Sequence, residues 1–310
     1  VALKKIVTLA GGVGGAKLAH GLAQILEPEQ LTIIVNTGDD FWHYGLRICP
    51  DLDTVMYTLA GLVDKTNGWG IGGDTRNTLG ALKRLGVDTW FGLGDQDIAT
   101  HLLRTEMLRE GHSLTQVTRH LTNNLGVKYT ILPMTDSPVA TIIDTIEHGE
   151  LDFQVYFVKM RWQPIVKSLR LDGIESAVMS AEVKQAIAEA DVILFGPSNP
   201  WLSITPILSV PGIKQALMNR DVPRVAITPI IQGEAIKGPA GKIMAELNYE
   251  SSAKSIVTYY GEVLNGFVYD ERDTSLDMSM TRATAFDTIM RSDSDRVVLA
   301  RKVLDWIEKW

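Results

Sequence analysis

The stretch Ile6-Val7-Thr8-Leu9-Ala10-Gly11-Gly12-Val13-Gly14-Gly15-Ala16-Lys17-Leu18, followed about one helix later by Ile33-Ile34-Val35-Asn36-Thr37-Gly38-Asp39-Asp40, decides the fold. A β-branched apolar run, a glycine-rich turn, a lysine and the helical spacing of Leu18, Leu22, Ile25 and Leu26 read as strand, phosphate-cradling turn and helix. A second strand then ends in carboxylates, which completes a βαβ nucleotide unit.

Working outward, further short apolar runs of the kind buried on both faces occur at Asp88 to Phe91, Asp191 to Phe195, Arg224 to Thr228 and Gly266 to Tyr269. Helical patterns lie between them, including Lys17 to Leu26, Leu52 to Val63, Thr75 to Leu85, Ile98 to Arg109, Leu114 to Asn124, Ala181 to Ala190 and Ser294 to Lys309. Alternating strands and helices predict an α/β fold, a doubly wound, mostly parallel Rossmann-like sheet. The middle breaks the alternation, because Val139 to Asp144, Leu151 to Val158 and Ser168 to Asp172 read as strands with few helices among them. We therefore expect residues 1–134 and 181–310 to form the nucleotide-binding domain, with 135–180 as a smaller inserted α+β lobe near the site.

Composition narrows the function. Across 310 residues the chain is 45% hydrophobic and 22% charged, with a net charge of −7. That balance disfavours duplex nucleic acid as the main ligand, since such binding needs a basic face. One cysteine, Cys49, leaves no internal disulfide and fits a reducing compartment. No apolar run approaches the roughly 18 to 20 residues of a membrane span, and Val1 to Ala10 reads as a strand rather than a signal peptide. The expectation is a cytoplasmic protein of small-molecule substrates, with no nucleic-acid or membrane partner; a homodimer is compatible with the sequence, which does not fix the oligomeric state.

The glycine turn fails both standard fingerprints. Ala16-Lys17-Leu18 lacks the Gly-Lys-Ser/Thr of a Walker loop, and a Gly-x-Gly-x-x-Gly pattern begun at Gly12 meets Lys17 at its last position. Lys17 is a candidate phosphate contact. The carboxylates Asp39, Asp40, Asp51 and Asp53 gather near the same predicted sheet edge, where they can hold Mg²⁺ against a diphosphate. Asp51 and Asp53 can equally cap the helix that follows Pro50. Trp69 and Trp90 stand among glycines and suit a planar heterocycle, although core packing is the plainer role. Two late loops, Gly196 to Pro200 and Gly233 to Lys242, offer hydrogen-bonding groups and lysines on the same edge, and the acidic run Asp270-Glu271-Arg272-Asp273 reads as a solvated loop. No histidine spacing suits a metal, and no nucleophile elbow is present.

Taken together, Gly11 to Lys17, Val35 to Asp40, Ile48 to Val55, Gly94 to His101, Gly196 to Pro200 and Gly238 to Lys242 closely resemble the motifs of the CofD family, the 2-phospho-L-lactate transferases (FbiA in actinobacteria) of deazaflavin coenzyme F-420 biosynthesis. The resemblance runs from about Ile6 to Asp273. It implies that the ribityl hydroxyl of the deazaflavin Fo attacks a guanosine diphosphate ester of lactate or enolpyruvate and that GMP leaves. It further implies that Gly12, Gly14, Gly15 and Lys17 hold the diphosphate, and that Asp40 and Asp53 are the catalytic residues and bind Mg²⁺. Asn36, Ser198 and Asn199 become nucleotide contacts, and Trp90, Gly92 and Leu93 wall the Fo ring. The first glycine loop and Trp90 to Leu93 look more like the bacterial branch, which leaves the acyl donor open. A non-catalytic nucleotide-sugar-binding regulator of the YvcK type shares the glycine loop and an Asp-Asp pair, but typically continues Asp-Asp-Gly-Gly where this chain has Asp39-Asp40-Phe41-Trp42.

Overall fold

A computed structural model describes residues 4–236, 238–273 and 282–310; Val1 to Leu3, at the head of the expected first strand, and Lys237 of the second glycine-rich loop lie outside it. The elements in chain order are β1 (Ile6–Ala10), α1 (Gly12–Ala23), β2 (Leu31–Val35), β3 (Phe41–His43), β4 (Leu46–Ile48), α2 (Pro50–Leu59), α3 (Asn77–Arg84), α4 (Asp95–Arg109), α5 (Leu114–Asn124) and β5 (Thr130–Pro133). There follow β6 (Ala140–Thr145), β7 (Gly149–Asp152), β8 (Val166–Asp172), α6 (Ala181–Glu189), β9 (Val192–Phe195), α7 (Thr205–Ser209), α8 (Ile213–Met218) and β10 (Arg224–Ile227). The chain continues through β11 (Ile230–Ile231), β12 (Glu234–Ala235), α9 (Ala240–Glu246), α10 (Ala253–Tyr260), β13 (Gly266–Asp270), β14 (Arg282–Phe286) and α11 (Asp293–Ile307).

Seven strands form one parallel sheet in the order β14-β13-β10-β9-β1-β2-β5. The order reverses between β1 and β9, so a crevice opens at their carboxyl ends. Side chains alternate between two cores. Val192, Leu194, Val225 and Ile227 join α1, α2, α5 and α11 on one face, while Ile193, Phe195, Ala226 and Phe267 join α6, α8 and α10 on the other. Burial of both faces is why these strands read as unbroken apolar runs. A separate antiparallel sheet, β7-β6-β8, occupies the middle of the chain. Its Ile143 and Val166 pack with Phe153, Tyr156, Leu202 and Ile243 in a third core. No described helix is long and apolar enough to cross a membrane.

Several expectations need correction. Asp88 to Phe91 is not a strand; Trp90 and Phe91 pack instead with Phe41 and His43 of the β3–β4 hairpin. The edge position beside β2 belongs to β5, which ends in Pro133, a residue tolerated where no further ladder bond is required. Only the start of Leu151 to Val158 is strand, because Val155–Lys159 winds into a wide helical turn that brings Phe153 and Phe157 into a stack with ring centroids 5.2 Å apart. Helix α1 begins at Gly12 rather than Lys17, so the glycine run is its first turn. Asp270 does not solvate a loop: it is fully buried.

Candidate active site

The crevice between β1 and β9 opens into a cavity of about 710 Å³. Of the residues singled out in the sequence, Gly12, Gly14, Lys17, Asp53, Gly92, Ser198 and Asn199 line it, whereas Gly15, Asn36, Asp40, Trp90 and Leu93 do not.

At one end the first turn of α1 faces the loop after β9. A Cβ at Gly14 would overlap the Pro197 carbonyl oxygen, and one at Gly15 would sit 2.7 Å from Ser198 Oγ. Glycine is therefore what lets the two loops touch. Ser198 Oγ accepts the Gly11 amide at 3.2 Å and donates to the Gly11 carbonyl at 2.8 Å. Asn199 accepts the Trp201 and Leu202 amides and so caps the turn that follows. Asn36 is spent internally: its Nδ2 donates to Asp51 and to the Leu202 carbonyl, and its Oδ1 accepts the Gly38 amide. Lys17 Nζ donates to the Met290 carbonyl at 2.7 Å, on the loop before α11. That loop, Thr288 to Arg291, is a cavity wall that sequence reading missed.

The carboxylates divide by direction. Asp39 and Asp51 line the cavity. Asp51 Oδ1 accepts the Gly12 amide at 2.7 Å and its Oδ2 accepts Asn36 Nδ2 at 2.9 Å. Burial nevertheless pushes the Asp51 carboxyl up to about 6 against those hydrogen bonds. Burial and then the Asp51 charge push Asp39 well above the ordinary range. Asp39 Oδ1 is buried with no hydrogen-bond partner among the described residues. Two close buried carboxylates with an unfilled acceptor are the electrostatic setting that a divalent cation relieves, so this donor set fits Mg²⁺. Asp40 lies behind them. Its Oδ2 is 3.4 Å from Arg47, and burial drives its carboxyl up to about 7 despite that partner.

Asp53 faces a different neighbour. Arg104 of α4, itself buried, clasps both Asp53 oxygens, with Nη1 at 3.1 Å from Oδ2 and Nη2 on Oδ1. Asp53, Asp97 and His101 also present metal-type donor atoms within 4.8 Å of one another. Arg104 already supplies a cation there, and its Nη1 lies 3.0 Å from His101 Nδ1. A guanidinium only donates, so that ring nitrogen accepts and the imidazole proton sits on Nε2, which faces Asp97 Oδ1 at 3.3 Å. The Tyr57 hydroxyl donates to the same Asp97 oxygen at 2.7 Å. Burial acts to raise the Asp97 carboxyl, but contacts with His101 and Tyr57 outweigh it and hold the group below the usual value. Asp97 and His101 sit four apart on one helix, a spacing visible in the sequence; Arg104 gave no such signal.

The aromatic wall also moves. Trp69, Phe91 and Gly92 reach the cavity from the expected glycine-rich segments, whereas Trp90 does not, and Phe153, Phe157 and Trp162 of the middle segment add rings the sequence did not point to. Phe157 and Trp162 have centroids 5.3 Å apart. Arg161 and Trp162 both adopt left-handed backbone, at φ 51° and 48°, a conformation costly for residues with a side chain and concentrated at functional sites.

Residues 6–306 match the sequence family described as 2-phospho-L-lactate transferase CofD. A 2-phospho-L-lactate transferase from Methanosarcina mazei is 40% identical over 303 residues, spanning 96% of this chain and 99% of that protein. A phosphoenolpyruvate transferase from Kitasatospora aureofaciens is 43% identical over 275 residues, spanning 87% and 86% respectively. Among solved structures, a UPF0052 family protein from Bacillus halodurans is similar at a TM-score of 0.57 and 17% identity, covering 89% of this chain and 83% of that one. At that identity the likeness carries the fold alone.

Proposed function

Because this chain belongs to the CofD family of 2-phospho-L-lactate transferases, we propose that it moves a phospholactyl or phosphoenolpyruvyl group from a guanosine diphosphate ester to the ribityl hydroxyl of the deazaflavin Fo, releasing GMP, in the cytoplasm. The observation that carries this reading is one cavity with two unlike kinds of lining. A glycine-lined helix start with paired buried carboxylates is one, and a shelf of Phe157 and Trp162, their rings tilted 49° to each other, is the other.

The diphosphate belongs at the first turn of α1, where the helix dipole favours negative charge and Lys17 stands nearby. Asp39 and Asp51 are the residues that would hold Mg²⁺, which when bound neutralises charge on the transferred phosphoryl group. The flat deazaflavin ring suits the Phe157–Trp162 shelf, and the middle segment, 135–180, caps the site. In the transfer, the hydroxyl oxygen bonds to the phosphorus next to the acid and the bond from that phosphorus to the GMP phosphate breaks. Asp97, a charged carboxylate of the cavity wall, is suited to orient the attacking hydroxyl by accepting its hydrogen bond, the proton passing on to the released GMP phosphate. Asp53, neutralised by Arg104, organises that wall. Asp40 supports the metal-facing loop from behind.

Binding tests this arrangement without turnover. Fo fluorescence and GDP calorimetry should each report a site, and Trp162→Ala should weaken Fo at least about 10-fold, the scale of a lost aromatic stacking partner, with GDP unaffected. GDP binding without any Fo binding would move the reading to a nucleotide-binding regulator.

A further inference from the structure

The sheet's far side offers a device that neither the family motifs nor the proposed chemistry uses. Asp270 ends β13 opposite Phe286 of β14 and is fully buried. Its Oδ2 accepts the Thr288 amide at 2.9 Å and the Thr288 hydroxyl at 2.8 Å. Its Oδ1 accepts the Arg272 amide at 3.0 Å and Arg272 Nη1 at 2.8 Å. Arg272 in turn holds Asp287 Oδ1 at 3.0 Å, and that oxygen accepts the Ile289 amide at 3.1 Å. At the other end of the loop, Asp295 Oδ2 accepts the Arg291 and Ser292 amides. Carboxylates thus fix the backbone on both sides of Met290, whose carbonyl receives Lys17 Nζ.

We infer that Asp270 is a positioning residue, which sets the loop from Asp287 to Arg291 through Thr288 and, through the Met290 carbonyl, aims the Lys17 ammonium at the nucleotide end of the cavity. The Met290 carbonyl supplies one of the contacts that restrict the rotamers of the long Lys17 side chain, so a loop that wandered would loosen it. Burying a carboxylate wholly is costly unless its acceptors are filled, and here two loop donors and an arginine fill them. The network thus spends a buried charge on the conformation of one cavity wall. The ligand side of this inference rests on the diphosphate reading above; the lysine's placement does not.

Two measurements separate these. In ligand-free protein, the acetylation rate of Lys17 is read by peptide mass spectrometry, with exposed Lys83 as the internal standard. Asp270→Asn should speed labelling at Lys17 several-fold and leave Lys83 unchanged. Thr288→Val, which deletes a single hydroxyl, should act in the same direction by less and decides the question if Asp270→Asn fails to fold. Unchanged Lys17 labelling in a folded variant overturns the inference whatever the ligand is.

GDP calorimetry then closes a cycle. Lys17→Ala and Asp270→Asn should each weaken GDP about 10-fold, the worth of one charge-assisted hydrogen bond, and the double variant should bind no worse than Lys17→Ala alone. Additive losses would show that Asp270 does not act through Lys17. Failure of the unaltered protein to bind GDP would instead remove the diphosphate reading, leaving the labelling result to judge Asp270.

Discussion

Asp51, in the first turn of α2, accepts the backbone amide of Gly12, the first residue of α1, at 2.7 Å. This bond ties the glycine turn to the second helix, and the other Asp51 oxygen ties both to Asn36 at the end of β2. A carboxylate at the start of a helix usually caps its own amides; this one caps its neighbour's. The same residue lines the cavity beside Asp39.

A metal at that pair stabilises the folded state by mass action, because the unfolded chain has no such site. Adding Mg²⁺ should therefore raise the melting temperature of the unaltered protein. Asp51→Asn keeps an acceptor for Gly12 yet removes charge, and its melting temperature should respond much less. An equal response in both would place the metal elsewhere.

The Asp53–Arg104 pair predicts an asymmetry. Arg104→Met leaves a buried carboxylate unpaired and should cost about 3–5 kcal/mol in urea unfolding. Combining it with Asp53→Asn should recover most of that loss, since no buried charge is then stranded. A double variant as unstable as the single one would show that packing, not charge, is at stake.

Stability should fall as pH rises through the range set by Asp40. Its carboxyl is raised from 3.8 to about 7, so the folded state binds a proton that the unfolded state has released, and deprotonation between about pH 4 and 7 works against folding. Three units correspond to at most about 4 kcal/mol. Asp40→Asn should make the stability curve less steep across that window, the slope from Asp39 and Asp51 remaining, and be the more stable form at pH 8. Parallel curves for the two proteins would contradict the assignment.

Gly12 and Gly14, two of the turn's glycines that line the cavity, should respond differently to substitution. Gly14→Ala drives a methyl into the Pro197 carbonyl and forces β1 and β9 loops apart, an overpacking cost of about 1–3 kcal/mol with loss of GDP binding. Gly12 has φ +61° but open space around it, so Gly12→Ala meets only backbone strain, about 1–2 kcal/mol. Urea unfolding and GDP calorimetry on both variants check this; intact GDP binding in Gly14→Ala would remove the close approach as a requirement.

The fold was legible wherever burial on both faces left a continuous apolar run, as in β1, β2 and β9, or apolar residues recurred at helical spacing, as in α5. It was illegible at the edges. Strand β5 is four residues ending in proline, and β14 carries a mixed pattern suited to a half-covered edge. Asp88 to Phe91 misled because its rings satisfy a hairpin rather than a sheet. At the site, the sequence located the carboxylates but not their directions. Asp51 and Asp53 are two residues apart on a helix, hence about 200° apart around it, and one turns to Gly12 while the other turns to Arg104. The aromatic shelf stayed hidden because an apolar run spaced for a helical turn was read with a strand's period.

The most direct test of the proposed transfer is to incubate the purified protein with Fo, Mg²⁺ and, in parallel, the lactyl and enolpyruvyl guanosine diphosphate donors, and to follow Fo and guanine nucleotides by mass spectrometry. The reading predicts an acid phosphodiester of Fo, formed from one donor in step with GMP. A folded protein that binds both Fo and GDP, yet yields neither product nor GMP from either donor, would contradict it.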